Sequence, residues 1–320
     1  MRHVVVGAGP VGWGTAELLV AAGHRVSVVT RSGRAPRGSE AVRADATDRV
    51  VMAQATRDAA VIYNCANPPY DRWASDWPPI AASLLAAAES SGAVLVTMSN
   101  LYGYGPTSGE MTESTPLAAT GGKGRVRAAM WREALGAHEA GRARVTEARA
   151  SDFFGPGLKE TSFMGERVVP RLLAGRPVRL VMGGSDIPHS WTYIDDVART
   201  LVVLGSDDRA WGRAWHVPTN PARTAGQMIA GLAAAAGRPT PAIRTLRPVL
   251  LRAAGAVSPV VRELQETRYQ FERPFVIDSR AVTAVFGLCP TPWEQALAAT
   301  VDWWRTAERH TIRTAEPVCA

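Results

Sequence analysis

The feature that most restricts this chain is its opening, Met1-Arg-His-Val-Val-Val-Gly-Ala-Gly-Pro-Val-Gly-Trp-Gly14. The apolar run Val4–Val6 meets a glycine turn, Gly7-Ala8-Gly9-Pro10-Val11-Gly12. An apolar-periodic stretch follows, with Ala16, Leu18, Leu19 and Ala22, and stops at Gly23. This pattern predicts strand, tight turn and helix. In such a turn the first glycine permits the bend, the second lets the backbone approach a pyrophosphate, and the third lets the helix pack on the strand. The helix N-terminus presents unpaired N–H groups and a positive dipole end to phosphate. Gly7, Gly9, Pro10, Val11 and Gly12 are therefore the first candidate contacts of a bound dinucleotide.

Strand and helix signals alternate through the first half. Strands are predicted over Arg25–Thr30, Ala41–Asp45, Ala60–Ala66, Ala93–Ser99 and Ala143–Arg149. Helices are predicted from about Asp48, over Trp77–Ser91 and over Lys123–Glu139. This alternation predicts an α/β chain with a doubly wound parallel sheet of the Rossmann kind, its ligands at the carboxyl ends of the strands. After Phe154-Gly-Pro-Gly157 the pattern loosens, with proline joints at Pro170, Pro177, Pro218, Pro239 and Pro248. The expected division is a dinucleotide-binding domain over 1–155 and a smaller C-terminal substrate lobe over 156–320. The two interleave, since segments near 190–220, including a helix beginning near Asp195, return to the sheet.

Composition narrows the function classes. The net charge is +7, yet of 36 basic residues only Lys123 and Lys159 are lysines. The arginines are scattered, without the aromatic-interleaved patch of a nucleic-acid surface, so no nucleic-acid partner is expected. No apolar run approaches the roughly eighteen residues of a membrane span. Cys65, Cys289 and Cys319 show neither metal spacing nor a disulfide framework. The expectation is a reduced, cytoplasmic, metal-free protein with a small-molecule substrate.

The residues after the second strand bear on the dinucleotide. An acid there would hold the ribose 2′-hydroxyl of NAD. Here the run is Thr30-Arg31-Ser32-Gly33-Arg34. Arg31, Ser32 and Arg34 suit a 2′-phosphate, which arginine binds through charge-assisted, bidentate hydrogen bonds. NADP(H) is therefore expected ahead of NAD(H). Asp45, at the end of the third strand, reads equally as an adenine-side contact or as a turn acid before the next helix.

Together these residues resemble the extended short-chain dehydrogenase/reductases, the group containing NAD(P)-dependent epimerases and dehydratases. The resemblance rests on the glycine loop, on Asp45-Ala-Thr-Asp48, and on the Val61–Ala66 strand leading into Asn67-Pro-Pro. It continues through Val96-Thr-Met-Ser-Asn-Leu-Tyr-Gly103, Arg149–Gly157 and Trp191-Thr-Tyr-Ile-Asp-Asp-Val-Ala198. It implies helices on both sheet faces, a small C-terminal substrate lobe, cofactor contacts from Ala66 and Asn67, and in many members a homodimer through a helix bundle.

Two departures stand out. The glycine loop is one residue shorter than the GxxGxxG usual in that family, which marks an atypical branch. The family's catalytic Tyr-x-x-x-Lys is represented by Lys123 alone, because four residues earlier stands Ala119, which cannot transfer a proton. A lysine in so arginine-biased a chain, at a helix start where its charge opposes the dipole, points to a specific need for an ammonium. Lys123 is expected at the nicotinamide ribose or in proton transfer. The remaining catalytic candidates are Ser99 at the end of the fifth strand, Tyr102 and Tyr104 in the loop after it, and His189. Tyr102 matches a family tyrosine of mostly structural role. Tyr104 would act if Lys123 lowered its pKa. His189 stands where sugar-nucleotide members often carry a phosphate-binding arginine, and its ring can titrate near neutrality. Asp195 and Asp196 read as acids of a helix N-terminus.

The expected function is an NADP(H)-dependent oxidoreductase acting on a carbonyl or alcohol of a small organic substrate. A redox-neutral epimerase, dehydratase or isomerase with a recycled cofactor is the alternative within the family. A non-catalytic NADP-binding sensor or scaffold is the alternative outside it.

Overall fold

The computed structural model describes residues 1–180, 182–245 and 265–315; Pro248 and Cys319 lie outside them. The strands are β1 (Arg2–Val6), β2 (Arg25–Thr30), β3 (Glu40–Arg43), β4 (Val61–Asn64), β5 (Val94–Asn100), β6 (Arg144–Ala150), β7 (Asp152–Phe154), β8 (Val178–Leu180), β9 (Pro188–His189), β10 (Trp191–Tyr193), β11 (Ala214–His216), β12 (Arg223–Thr224) and β13 (Ile243–Thr245). The helices are α1 (Pro10–Ala21), α2 (Arg49–Thr56), α3 (Trp73–Ser91), α4 (Gly122–Glu139), α5 (Val169–Leu173), α6 (Ile194–Ser206), α7 (Ala225–Ala235), α8 (Arg280–Phe286) and α9 (Trp293–Ala315).

Seven strands form the central sheet in the order β11-β6-β5-β4-β1-β2-β3, and every pairing is parallel. The order reverses between β1 and β4, so a crevice opens beyond their carboxyl ends, the usual ligand position in such sheets. Register places Val6 beside Asn64 there. The loops after β1 and β4 therefore leave the sheet side by side.

Apolar strands and helix stripes account for the layers. Val4, Ile62, Trp77, Leu84, Leu95 and Trp131 fill the core on one face of the sheet. Val5, Leu19, Val28, Tyr63, Val96, Leu201 and Trp215 fill the other. A third core, with Met164, Leu172, Trp191, Met228, Leu232 and Trp304, is built mostly from the second half of the chain. Each fully buried side chain of this size contributes about 1.5–3 kcal/mol. β11 joins the edge of the sheet against β6, and α6 packs against α1, so the segment near 190–220 does return to the sheet. Among the described residues no helix is long and apolar enough to cross a membrane.

Three elements depart from expectation by two residues or more; one is β4, which ends at Asn64 rather than Ala66. β3 ends at Arg43 rather than Asp45, because the Asp45 carboxylate accepts from the amide (2.9 Å) and hydroxyl (2.8 Å) of Thr47 and turns the chain. α3 begins at Trp73 rather than Trp77, which leaves Pro78 and Pro79 inside the helix without their N–H groups. The extra turn is held by Trp73, whose indole N–H donates to the carbonyl of Pro68 at 3.2 Å, and by Arg127, whose guanidinium lies 4.7 Å and 4.1 Å from the rings of Trp73 and Trp77.

Candidate active site

The glycine loop has the cradle geometry that a dinucleotide needs. Gly7 adopts φ +99°, and a Cβ there would come within 2.6 Å of the Cys65 carbonyl oxygen. A Cβ on Gly12 would sit 1.9 Å from the carbonyl oxygen of Gly7, whereas one on Gly9 would meet nothing within 4 Å. Two of the glycines are thus required by the fold, and Gly9 leaves open space before the helix. Gly9 caps α1 without a side-chain hydrogen bond, and Pro10 opens the helix, so no side chain takes the place of an incoming phosphate. Val11 is half-buried, its carbonyl accepting from Thr15 at 2.8 Å. Gly157 comes close to Pro10, which brings the Phe-Gly-Pro segment over the loop.

Around this cradle the other predicted contacts fall at strand ends. Arg31, Ser32 and Arg34 are exposed on the turn after β2. The turn closes on Thr30, whose hydroxyl accepts from the Arg34 amide at 3.1 Å, leaving both guanidinium groups toward solvent. The carboxylate of Asp45 serves the turn instead, and its engagement by Thr47 lowers its pKa; Asp48 caps α2. The Ala66 amide donates to Asn64 Oδ1 at 3.3 Å, and Asn67 is exposed beside it.

Lys123 stands at the head of α4 and is only 3% exposed. Its backbone amide donates to Glu266 Oε1 at 2.7 Å, and its Nζ lies 3.6 Å from Glu266 Oε2. The same Nζ is 4.5 Å from the centre of the Tyr70 ring. Tyr70 follows β4 in the segment Asn67-Pro-Pro-Tyr70. Its hydroxyl donates to Tyr102 Oη at 3.3 Å and lies 3.1 Å from Thr267 Oγ1. Tyr102 stacks on Trp73. Burial raises the pKa of Tyr102 well above the usual phenol value and that of Tyr70 to about 12, and the Asp152 carboxylate adds to both. Ala119 packs against the 102–104 turn, its amide donating to the Gly103 carbonyl at 3.1 Å. α4 approaches this turn so closely that a Cβ on Gly124 would come within 2.4 Å of both the Tyr102 carbonyl oxygen and Ala119 Cβ.

The structure does not put all the catalytic candidates at Lys123. Ser99 is buried at the carboxyl end of β5, in register with Arg149. Tyr104 is buried in a separate polar network, where its hydroxyl accepts from Arg149 at 2.9 Å and lies 2.7 Å from His216 Nε2. Burial raises its pKa to about 12, and the cation nearest in effect is Arg149, not the Lys123 expected to depress it. His189 is buried and stacked between Phe271 and Phe275. Its Nδ1 donates to the Gln270 carbonyl at 3.1 Å, and its Nε2 is 2.7 Å from Asp152 Oδ2. Asp196 is buried at the start of α6, accepting from Thr291, a structural use. Tyr70, Asp152, Glu266 and Thr267 escaped the sequence reading. Only Tyr70 left a signal, as a phenol directly after the Asn67-Pro-Pro that follows an apolar strand.

The profile of the NAD-dependent epimerase/dehydratase family matches residues 3–215. The chain belongs to this family. It is accordingly an NAD(P)-dependent enzyme of the extended short-chain dehydrogenase/reductase type. No curated protein sequence matches it. Among solved structures it is similar to a UDP-glucose 4-epimerase from Thermotoga maritima with UDP-glucose, at 17% identity and TM-score 0.80, over 96% of this chain and 100% of that one. It is also similar to a dTDP-glucose 4,6-dehydratase from Streptomyces venezuelae with NAD bound, at 21% identity and TM-score 0.78, over 97% and 98% of the two chains. A UDP-glucuronic acid 4-epimerase from Bacillus cereus in complex with NAD shares 16% identity and TM-score 0.78, over 96% and 99%. These likenesses establish that the shared fold extends beyond residue 215, where the match to the family profile ends.

Proposed function

We propose that this member of the family is an NADP(H)-dependent oxidoreductase acting at a carbonyl or alcohol carbon of a small organic substrate. The observation that carries the reading is Lys123, a buried ammonium at the carboxyl edge of the sheet, one of two lysines in a chain that elsewhere uses arginine. Gly9, Pro10, Val11 and Gly12 would hold the pyrophosphate, with Ala66 and Asn67 alongside. Arg31, Ser32 and Arg34 would hold the 2′-phosphate, and Lys123 the nicotinamide ribose. The bound nicotinamide supplies or accepts hydride. The protein's part is to orient the ribose through Lys123 and to keep water from the reacting carbon through Tyr70 and Tyr102.

Redox-neutral epimerisation or dehydration is the second reading, favoured by the family itself. The solved relatives described above are named for nucleotide-sugar substrates, and His189 argues against such substrates here. Both its ring nitrogens are committed, to Gln270 and Asp152. It therefore offers a diphosphate no free donor, and Asp152 beside it carries negative charge. The deciding experiment incubates the enzyme with NADPH or NADH and a panel of aldehydes and ketones. Stoichiometric loss of reduced-cofactor absorbance with product supports oxidoreduction. Product formation at constant cofactor absorbance supports the redox-neutral reading. UDP-glucose should give no thermal stabilisation.

A further inference from the structure

The family's proton-transferring phenol belongs four residues before its lysine, and this chain has Ala119 there. Yet the lysine is not left without a phenol. Tyr70, carried by a different element, lies with its ring 4.5 Å from Lys123 Nζ. We propose that Tyr70 supplies the proton-transferring hydroxyl that Ala119 lacks, with Lys123 as its cation and with Tyr102 and Thr267 as positioning residues. The proposal rests on the oxidoreductase reading above.

The placement follows from the sheet. β1 and β4 are adjacent and parallel, and a Cβ on Gly7 would press on Cys65 and Ala66. The loop carrying Tyr70 therefore runs beside the glycine loop, on the edge where a dinucleotide lies. The ring is held on several sides. It meets Trp73 edge-on at 5.3 Å and Tyr102 edge-on at 6.5 Å. Its hydroxyl is fixed by Tyr102 and Thr267. Tyr70 is half-buried, whereas Tyr104 is 2% exposed and bound to Arg149 and His216. Burial keeps the Tyr70 phenol protonated at neutral pH, which is the state a donor needs. Glu266 Oε2 lies 3.6 Å from Lys123 Nζ and partly offsets its charge.

The step balances as follows. A hydride arrives on the substrate carbonyl carbon from a reduced nicotinamide dinucleotide. The carbonyl π pair moves onto oxygen, which takes the proton of the Tyr70 hydroxyl. The resulting phenolate lies in the field of Lys123, whose Nζ is 4.5 Å from the ring centre, and regains a proton, drawn in the end from water, along its hydrogen bond with the Thr267 hydroxyl. Alcohol oxidation runs the same transfers in reverse.

The test reads phenol ionisation directly, so it needs no substrate. Ultraviolet difference titration is run on the enzyme with and without NADP⁺, whose binding is followed in parallel by tryptophan fluorescence. The loaded wild type should show one phenol ionising about 1–3 pH units lower than in the free enzyme, the range expected when an opposite charge comes within a few ångströms. That transition should vanish in Tyr70→Phe, stay in Tyr102→Phe, and return toward the unloaded position in Lys123→Gln. The last variant keeps Tyr70 and so carries the test if Tyr70→Phe does not fold. NADP⁺ binding with no shifted phenol, or a shift that survives Tyr70→Phe or Lys123→Gln, overturns the assignment of Tyr70. Failure to bind any nicotinamide dinucleotide overturns the reading beneath it as well.

Discussion

The hydroxyl of Tyr104 lies 2.7 Å from Nε2 of His216, across 112 residues of sequence. His216 Nδ1 faces the carbonyl of Asp278 at 2.7 Å, so Nδ1 carries the ring proton and Nε2 accepts from the phenol. Tyr104 in turn accepts from Arg149, which pairs with Glu147 at 2.6 Å. A chain of buried polar groups thus ties β6 to β11 and to the loop after β5. Its members hydrogen-bond one another, a structural use of groups that in isolation read as catalytic.

Tyr104→Phe should therefore cost stability rather than proton transfer. It leaves Arg149 Nη1 and His216 Nε2 without their Tyr104 partner in the interior, a penalty of about 1–3 kcal/mol. The midpoint of urea unfolding should fall accordingly, with NADP⁺ affinity unchanged. A large loss of cofactor binding without loss of stability would contradict this.

The glycine loop predicts opposite outcomes at two neighbouring positions. Gly12→Ala forces a Cβ to within 1.9 Å of the Gly7 carbonyl oxygen. That overlap should cost roughly 1–3 kcal/mol of stability as well as cofactor binding. Gly9→Ala meets nothing in the fold and has an extended backbone that alanine tolerates. It should keep the thermal midpoint and still weaken both NAD⁺ and NADP⁺ by occupying the approach of the pyrophosphate. Calorimetry and fluorescence titration on the same preparations separate the two effects.

Arg31→Ala should discriminate between the cofactors. The side chain is exposed and holds no other part of the fold through its guanidinium, so stability should change little. Removing a charge-assisted bond to a 2′-phosphate, worth about 1.5–3 kcal/mol, should weaken NADP⁺ by roughly ten- to a hundredfold. NAD⁺ affinity should stay the same. Equal weakening of both would contradict the role given to Arg31.

A pH response should arise at the far end of the sheet. His3 is buried against Tyr63 and His24, and burial lowers its pKa to about 4. In the unfolded chain it protonates near pH 6.5. Between those values the unfolded state binds more protons, so stability is full above about pH 6.5 and falls as the pH drops toward about 4, by up to roughly 3 kcal/mol. Thermal midpoints from pH 7 to 4.5 should decline more steeply for wild type than for His3→Gln.

Local chemistry alone determined a good part of this protein. The glycine turn, the alternation of buried strands and helices, Arg31 after β2, and the unusual Lys123 at the head of α4 were all legible, because each depends on spacing within a few residues. Where β3 and α3 shifted, the cause was again a specific contact: Thr47 holding Asp45 ended β3 early, and Trp73 with Arg127 drew α3 back past its prolines. The surroundings of Lys123 were not legible. Glu266 reaches it across 143 residues, and Thr267 reaches Tyr70 across 197. No periodicity encodes such meetings. They exist because a parallel sheet gathers the carboxyl ends of distant strands along one edge, and because the second half of the chain folds back over that edge. Tertiary structure likewise separated the candidates, sending Tyr104 into a buried network and His189 to Asp152 while setting Tyr70 against Lys123. The sequence puts Ala119 four residues before Lys123; only the fold shows which phenol stands beside that lysine.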